Sequence, residues 1–220
     1  MRGPTGANRQ PSTLGAHVAG RRAGQRFDAE RGVVTEALMF LGDLDPEAIG
    51  SNLAHATHYE ATPVADFERL LAHIPFALED ATFVDLGAGL ARVALLAAMQ
   101  PFRQVIGVEI SPALAAIARD NLRSAPRATF RCHDVRIVRG DAAAYRFPRG
   151  RLVVYLYNPF DAAVLTPIVA RLAAVRCETA LVYHTPVERA AIEAHPDFEL
   201  VAEEPCGVVY RRVALRDEPS

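Results

Sequence analysis

The sequence contains no lysine and no tryptophan. All 24 of its Lys and Arg residues are arginine, which a GC-rich genome explains, and the amine that Schiff-base enzymes and lysine general bases need is missing. Those enzyme classes are therefore excluded. The sequence also lacks an apolar run long enough to cross a bilayer and the apolar middle of a secretory signal. We expect a soluble, cytoplasmic protein without a membrane partner.

Cysteine is scarce as well. The three cysteines, Cys132, Cys177 and Cys206, are odd in number, scattered and without the spacing of metal ligands. Such a pattern favours reduced thiols in the core over disulfides or a zinc site. We expect no bound metal.

Acidic residues are missing from the first 26 residues, which hold five arginines and several glycines and prolines. This composition predicts a disordered basic tail over residues 1–32. Because no aromatic side chains are interleaved with the arginines, a solvated leader or an over-long start site is favoured over a tail that binds nucleic acid or an acidic partner. All 26 acidic residues follow, so nucleic acid is not the expected partner.

A chain of 220 residues is long enough for one α/β domain with appended segments. Residues 33–80 are predicted to form a helical cap or lid. It begins with a short apolar helix at Val33–Leu41 and an acidic turn region at Gly42–Gly50. A further helix follows Thr62 and Pro63, which offer an N-cap and a first-turn proline.

Short buried strands alternate with helices over the predicted core, residues 81–216. Strands are predicted at 82–86, 104–109, 135–139, 152–157, 179–184, 198–201 and 207–213, and helices at 90–100, 112–123, 162–175 and 187–195. Repeated βα units predict a mainly parallel sheet covered on both faces, with a hairpin at its edge. Pro167 lies inside the third helix, which therefore either kinks there or begins with Thr166 as its cap.

The most informative stretch is FVDLGAGLAR, Phe83–Arg92, an apolar strand that ends in an acid and continues into a glycine turn and a helix. Ligands of parallel α/β sheets bind beyond the carboxyl ends of the strands. Gly87 and Gly89 let the backbone turn tightly, so that bare amides and the Asp85 carboxylate face an anionic or polar cofactor. Glu109 ends the second strand, where a carboxylate accepts hydrogen bonds from both ribose hydroxyls.

A nicotinamide-dependent oxidoreductase shares the glycine turn and the acid on the second strand. Three features argue against it. Asp85 repels a pyrophosphate but suits a cofactor that carries a cationic amine and a sulfonium. Arg92 occupies the third glycine position of the fingerprint. Asp141, after the third strand, is suited to accept a hydrogen bond from an adenine amino group while the Ala142 amide donates to the ring.

These motifs resemble those of the class I S-adenosylmethionine-dependent methyltransferases. FVDLGAG matches their first motif, VIGVEIS their second-strand acid motif, RGDA their adenine-binding acid and LYNPF the motif at the end of the fourth strand. The resemblance implies an α/β, Rossmann-like fold with a seven-stranded, mostly parallel sheet and a terminal antiparallel hairpin. It also implies an enzyme with S-adenosyl-L-methionine as its cofactor.

More narrowly, the chain is similar to bacterial methyltransferases of unassigned substrate that are related in motif to the histone-lysine methyltransferases lacking a SET domain. HYEATP and YNPF carry this similarity, with Tyr59 and Thr62 in the loop that covers the cofactor. Leu90 and Ala91 depart from the Gly-Lys-Gly turn of many relatives. A degenerate cofactor-binding module without turnover therefore stays open as an alternative.

The resemblance implies the following site residues. Cofactor binding is predicted for Tyr59, Thr62, Asp85, Gly87, Ala88, Gly89, Glu109, Ile110, Asp141, Ala142 and Asn158. Catalytic roles are predicted for Asn158 and Tyr157, at the end of the fourth strand.

The predicted methyl acceptor is a protein side chain or a small molecule. For a nitrogen acceptor, Asn158 and the Pro159 carbonyl are predicted to hydrogen-bond the amine while Tyr157 or Phe160 walls the pocket. A structural or cofactor-binding role for Asn158 is equally open. His184, which ends the fifth strand, is a general base, a pocket wall or, more simply, a hydrogen-bonded structural histidine.

Overall fold

A computed structural model of the chain describes residues 13–36, 60–157 and 160–213. Its strands are β1 (Thr82–Leu86), β2 (Gln104–Glu109), β3 (Val135–Arg139), β4 (Leu152–Tyr157), β5 (Thr179–His184), β6 (Phe198–Glu204) and β7 (Gly207–Arg212). Its α-helices are α1 (Thr13–Arg31), α2 (Val64–Leu71), α3 (Arg92–Ala98), α4 (Pro112–Ser124), α5 (Ala162–Ala173) and α6 (Arg189–Glu193). Short 3₁₀ helices lie at Arg127–Thr129 and Ala142–Ala144.

The strands form one seven-stranded sheet in the order β3-β2-β1-β4-β5-β7-β6. β3, β2, β1, β4 and β5 pair in parallel, whereas β7 runs antiparallel to both β5 and β6. β1, β2 and β5 are buried along their whole length, which is why they read as continuous apolar runs and not as alternating patterns. The predicted seven-stranded Rossmann-like sheet with its terminal hairpin is confirmed.

Helices cover both faces of the sheet. Alternate residues of a strand point to opposite faces, so Phe83 and Tyr155 pack with α2, α3 and α4, while Val84 and Leu156 pack with α5 and α6. In the strand order, β1 lies between β2 and β4: the chain runs outward from β1 to β2 and β3 and then returns to β4 on the other side of β1. Ligands of such sheets bind at the carboxyl ends of the strands beside this switch point.

The structure decides two predictions about helix starts. α2 begins at Val64 with Pro63 as its N-cap and without a side-chain cap bond, so the predicted cap role of Thr62 is wrong. The Thr62 hydroxyl instead lies 3.3 Å from the buried Tyr155 hydroxyl. α5 runs through Pro167 from an Asp161 N-cap, which resolves the open choice there.

The N-terminal segment is the main correction to the sequence-based predictions. Residues 13–31 form α1 where a disordered tail is predicted, because Phe27 is buried against the rest of the core. Residues 33–36, predicted to start a helix, are not helical. The Asp28 carboxylate accepts hydrogen bonds there from the Thr35 and Glu36 amides, at 2.7 and 2.6 Å. Residues 1–12 and 37–59, including the rest of the predicted lid, lie outside the described residues.

The cysteines follow the prediction only in part. All three are free thiols, but only Cys132 is buried, whereas Cys177 and Cys206 are half-buried.

Among the described residues, no helix has the length and apolarity needed to span a bilayer.

Replacement of Gly107 by alanine is expected to lower the free energy of unfolding by about 1–3 kcal/mol, since it overpacks the contact between β2 and the glycine turn. A Cβ at Gly107 would lie 2.7 Å from Ile137 Cδ1 and 2.8 Å from the Ala88 methyl group. Gly140→Ala is the control, because its Cβ would meet nothing closer than Val108 Cγ1 at 4.0 Å. Urea unfolding that gives equal midpoints for the two variants would contradict this packing.

Candidate functional site

The carboxyl ends of three neighbouring strands bring the predicted cofactor residues to one edge of the sheet. Asp85 lies near the end of β1, Glu109 is the last residue of β2, and Asp141 follows β3. β1 pairs with β2, and β2 with β3. The three acids are far apart in the sequence, but their strands are neighbours, so they lie in a row beside the glycine turn.

Asp85 is a buried carboxylate for which the described residues supply no hydrogen-bond donor. Its exposed fraction is only 3%, and no hydrogen bond to its side chain comes from the described residues. Burial, reinforced by the charge of Glu109, raises the pKa of Asp85 to about 8. Because a buried ionised group needs a countercharge or donors, Asp85 is prepared for a cationic ligand group.

Glu109, by contrast, is held by backbone amides. Its Oε2 accepts from the Gly89 amide and its Oε1 from the Ser111 amide, both at 2.8 Å. Burial raises the pKa of Glu109, and the amides of Ser111, Gly89 and Ile110 act against this shift. The carboxylate therefore ties the glycine turn to the start of α4, and each oxygen keeps a second lone pair for a ligand hydroxyl.

The backbone of the glycine turn differs from the prediction in one respect. The Gly87 and Ala88 amides donate to the Val108 carbonyl at 2.9 and 3.0 Å, and the Gly89 amide donates to Glu109. The expectation of bare amides is therefore wrong for these three residues. Gly87 and Gly89 have φ values of 86° and 52°, so glycine is needed here for the turn itself.

The predicted adenine-binding residues lie at the far end of the row. Asp141 caps the 3₁₀ helix Ala142–Ala144 by accepting from the Ala143 amide at 2.8 Å. Ala142 is buried, and the Gly140 amide donates to the Glu109 carbonyl at 2.9 Å. The two residues are thus fixed beside Glu109, while their contact with adenine stays a prediction.

A second polar group lies at the carboxyl ends of β4 and β5. The Tyr157 hydroxyl donates to Glu60 Oε2 at 3.0 Å, and its ring meets the His184 ring edge-on at a centroid distance of 4.2 Å. Burial, with a further contribution from the Glu60 charge, raises the pKa of Tyr157. The hydroxyl therefore keeps its proton and acts as a donor.

His184 belongs to a small cluster that the sequence spacing did not reveal. Its Nε2 lies 3.4 Å from Asp66 Oδ2, and the ligand atoms of Asp66, His184 and Cys206 lie within 4.8 Å of one another. The His184 hydrogen bond is the main reason that the pKa of Asp66 lies below its usual value. Arg69 Nη1 lies 3.3 Å from Asp66 Oδ1, so the carboxylate already has a cationic partner. The cluster fits a structural histidine better than a metal site.

Several residues of this region were missed in the sequence. Glu60 stands inside the quoted HYEATP stretch, yet nothing in the pattern indicates that it meets Tyr157. The predicted residue Thr62 does lie beside the site. Its hydroxyl is close to that of Tyr155, and Tyr155 of β4 stands opposite Asp85 of β1 in the sheet register. Tyr59 and Asn158 lie outside the described residues, so their roles stay predictions.

Comparisons with known proteins agree with this geometry. Residues 84–160 match the family model described as a methyltransferase domain, and no curated protein matches the chain. The fold is similar to that of the proposed methyltransferase yhhF of Escherichia coli, with 20% identity over 69% of this chain and 88% of that one and a TM-score of 0.56.

Two further solved structures are similar. The proposed RNA methyltransferase PH1948 of Pyrococcus horikoshii has 17% identity over 81% of this chain and 94% of its own, with a TM-score of 0.55. The glycopeptide N-methyltransferase MtfA has 14% identity over 71% of this chain and 92% of its own, with a TM-score of 0.50. At these identities the likeness concerns the fold.

The domain match and the fold agree with S-adenosylmethionine, the cofactor predicted from the sequence. Asp85, which has no donor among the described residues, fits its cationic amine, and Glu109, which backbone amides hold in place, fits its ribose. Residues 84–160 match the model of a methyltransferase domain, and the sheet that contains them has the fold of the solved methyltransferase structures named above.

Proposed function

We propose that the protein transfers a methyl group from S-adenosylmethionine to an amine nitrogen of a protein side chain or a small molecule. The observation that carries the cofactor half of this proposal is Asp85, a buried carboxylate without a described donor at the switch point of the sheet. Arg92, the basic residue of the adjacent turn, is paired with Asp28 and Glu36. It therefore leaves the charge of Asp85 for the ligand.

The residues of the site divide into a binding half and an acceptor half. Asp85 would hold the amino group of the methionine part, Glu109 the ribose, and Asp141 with the Ala142 amide the adenine. When bound, S-adenosylmethionine supplies an electrophilic methyl group on a sulfonium: a nitrogen lone pair forms the new N–C bond while the S–C electron pair stays on sulfur. The protein then has mainly to align the acceptor and exclude water.

The acceptor half favours an amine because it contains the Glu60 carboxylate, which the Tyr157 hydroxyl holds in place. A half-buried carboxylate such as Glu60 orients an amine by accepting its N–H and stabilises the positive charge that develops on nitrogen. The Tyr157 and His184 rings, which meet edge-on, would form one wall of the acceptor site at the carboxyl ends of β4 and β5. Asn158, the residue after Tyr157, is predicted to add an amide oxygen.

The experiment that tests the proposal combines calorimetric titration with S-adenosylmethionine and mass-spectrometric detection of methylated amines and S-adenosylhomocysteine. The panel contains lysine-rich peptides, free polyamines and, for comparison, alcohols and carboxylic acids. Cofactor binding together with amine methylation supports the proposal. Binding without product on any acceptor indicates a cofactor-binding module, and absence of binding would refute the proposal.

Replacement of Tyr157 by phenylalanine is expected to lower kcat about 10- to 100-fold and to leave the cofactor Kd within about twofold, because it loosens the acceptor group Glu60 only. The ring keeps its contact with His184. Tyr210→Phe is the matched control, since it also removes a hydroxyl bonded to a glutamate, Glu193 at 3.1 Å, on another part of the sheet. Equal kcat values for the two variants would exclude Tyr157 from acceptor positioning.

A further inference from the structure

Arg92 is the most buried charged residue of the described chain and stands directly after the glycine turn. Its side chain is 1% exposed. Its Nε donates to Thr35 Oγ1 at 2.5 Å, and its Nη2 lies 3.3 Å from Asp28 Oδ1 and 3.1 Å from Glu36 Oε2. The guanidinium also lies over the Phe27 ring, 4.6 Å from its centroid. All of these partners come from residues 24–36, which we call the strap.

The strap is itself a fixed structure. The Asp28 carboxylate accepts from the Thr35 amide, the Thr35 hydroxyl and the Glu36 amide at 2.6–2.7 Å. These bonds fold residues 33–36 back onto the last turns of α1. Since a buried guanidinium needs its donors satisfied, the strap and Arg92 order each other.

Asn121 connects the same strap to the other side of the glycine turn. Its Oδ1 accepts from the Val34 amide, and its Nδ2 donates to the Val34 and Leu90 carbonyls, each at 2.9 Å. Leu90 and Arg92 flank Ala91, which has φ 71° although it is not a glycine. A left-handed alanine is strained by about 1–2 kcal/mol, so this turn depends on contacts from outside to keep its shape.

Gly24 shows how closely the strap approaches. A Cβ at Gly24 would lie 1.7 Å from Glu36 Oε2 and 3.2 Å from Arg92 Nη2. Glycine inside a helix is unfavourable, and here it makes room for the carboxylate that pairs with Arg92. Gly20, four residues earlier in α1, has nothing within 4 Å of such a Cβ.

We propose that the strap positions the cofactor-binding turn Gly87–Ala91. Arg92 and Asn121 are the positioning residues, because their side chains connect the strap to this turn. Arg92 also donates to the Thr62 carbonyl at 3.5 Å, so the strap fixes the turn and the neighbouring loop together. The segment predicted to be a disordered tail is thereby a part of the cofactor site, although it supplies no ligand contact. This inference rests on the proposed function, because it concerns affinity for S-adenosylmethionine.

The test compares Gly24→Ala and Thr35→Val with the control Gly20→Ala in the full chain. Gly24→Ala forces the Glu36 carboxylate away from Arg92, and Thr35→Val removes the hydroxyl that receives Arg92 Nε. We expect both variants to raise the Kd for S-adenosylmethionine about tenfold or more, the equivalent of one or two lost hydrogen bonds. We expect Gly20→Ala to keep the wild-type Kd. Hydrogen–deuterium exchange on the cofactor-free proteins is expected to be faster in the 87–92 peptide of the first two variants only.

The inference is overturned if Gly24→Ala and Thr35→Val shift the thermal midpoint while the Kd of the folded protein and exchange at 87–92 stay as in Gly20→Ala. In that case the strap only stabilises the fold. Exchange does not require the cofactor. If the wild-type chain fails to bind S-adenosylmethionine, the proposed function fails, and the exchange comparison still decides whether the strap orders the turn. If Gly24→Ala does not fold, the comparison with Gly20→Ala is made with Thr35→Val, which is the smaller change.

Discussion

Replacement of Asp85 by asparagine is expected to weaken binding of S-adenosylmethionine about 100-fold at pH 7.5 while making the cofactor-free protein more stable. Loss of a buried charged partner costs about 2–5 kcal/mol of binding energy, and each 1.4 kcal/mol is a factor of ten. The same substitution removes a buried carboxylate that has no described donor. A variant that is more stable but binds less identifies a residue kept for the ligand and not for the fold.

The pH dependence of this stability gain follows from the pKa of Asp85. In the folded protein it is about 8, above the ordinary value of 3.8. A carboxyl with a raised folded pKa contributes its stability below the unfolded pKa and loses it as the pH rises through the folded one. The difference in unfolding free energy between Asp85→Asn and wild type is therefore expected to grow from pH 4.5 to pH 8.5. The growth exceeds about 1.4 kcal/mol, the equivalent of one pKa unit.

Calorimetry measures the affinity, and urea unfolding at the two pH values measures the stability. Asp161→Asn is the control, because Asp161 caps α5 and asparagine is an equally good cap. It is expected to bind the cofactor like wild type. Wild-type affinity in Asp85→Asn, or a stability difference that does not change with pH, would show that Asp85 is an ordinary buried residue.

Replacement of Glu109 by alanine is expected to weaken cofactor binding at least 100-fold and, unlike the change at Asp85, to destabilise the fold. The substitution leaves the Gly89 and Ser111 amides without their acceptor. A buried unsatisfied donor costs about 1–3 kcal/mol, so the free energy of unfolding should fall by about 2–5 kcal/mol. The glycine turn would also lose its link to α4, and the cofactor its ribose contact.

Glu109→Gln separates the two effects. Its single carbonyl oxygen can satisfy one of the two amides, so the loss of stability should lie between those of wild type and Glu109→Ala. Urea unfolding and calorimetric titration are run on all three proteins. If the urea midpoint of Glu109→Ala equals that of wild type, the Glu109 carboxylate does not hold the glycine turn in place. If its Kd is unchanged, the ribose assignment is wrong.

The opposite stability effects at Asp85 and Glu109 reflect what the sequence could and could not reveal. Both acids are predicted from their positions at the ends of apolar strands, because buried parallel strands are apolar runs with sharp ends. The pattern did not reveal that Glu109 is already engaged by amides whereas Asp85 is not. That difference depends on which backbone amides of the folded turn are already hydrogen-bonded. The Val108 carbonyl accepts hydrogen bonds from two amides of the turn, and nothing in the sequence indicates this contact.

The N-terminal segment shows more clearly which contacts cannot be predicted from the sequence. Charge and glycine content predict disorder for residues 1–32, but α1 gains its order from Phe27 and Asp28, which meet Arg92 at a distance of more than sixty positions along the chain. Arg92 was noted only as a poor fit to a glycine fingerprint. The contact between Glu60 and Tyr157 was missed for the same reason. Contacts between distant side chains depend on the tertiary fold, which local periodicity does not encode.

Titration of the wild-type chain with S-adenosylmethionine, with NAD as the competitor ligand, tests the central claim most directly. We expect one S-adenosylmethionine to bind per chain, S-adenosylhomocysteine to displace it, and NAD to give no heat. Binding of NAD, or of neither ligand, would contradict the assignment of the Asp85–Glu109 edge as a methyltransferase cofactor site.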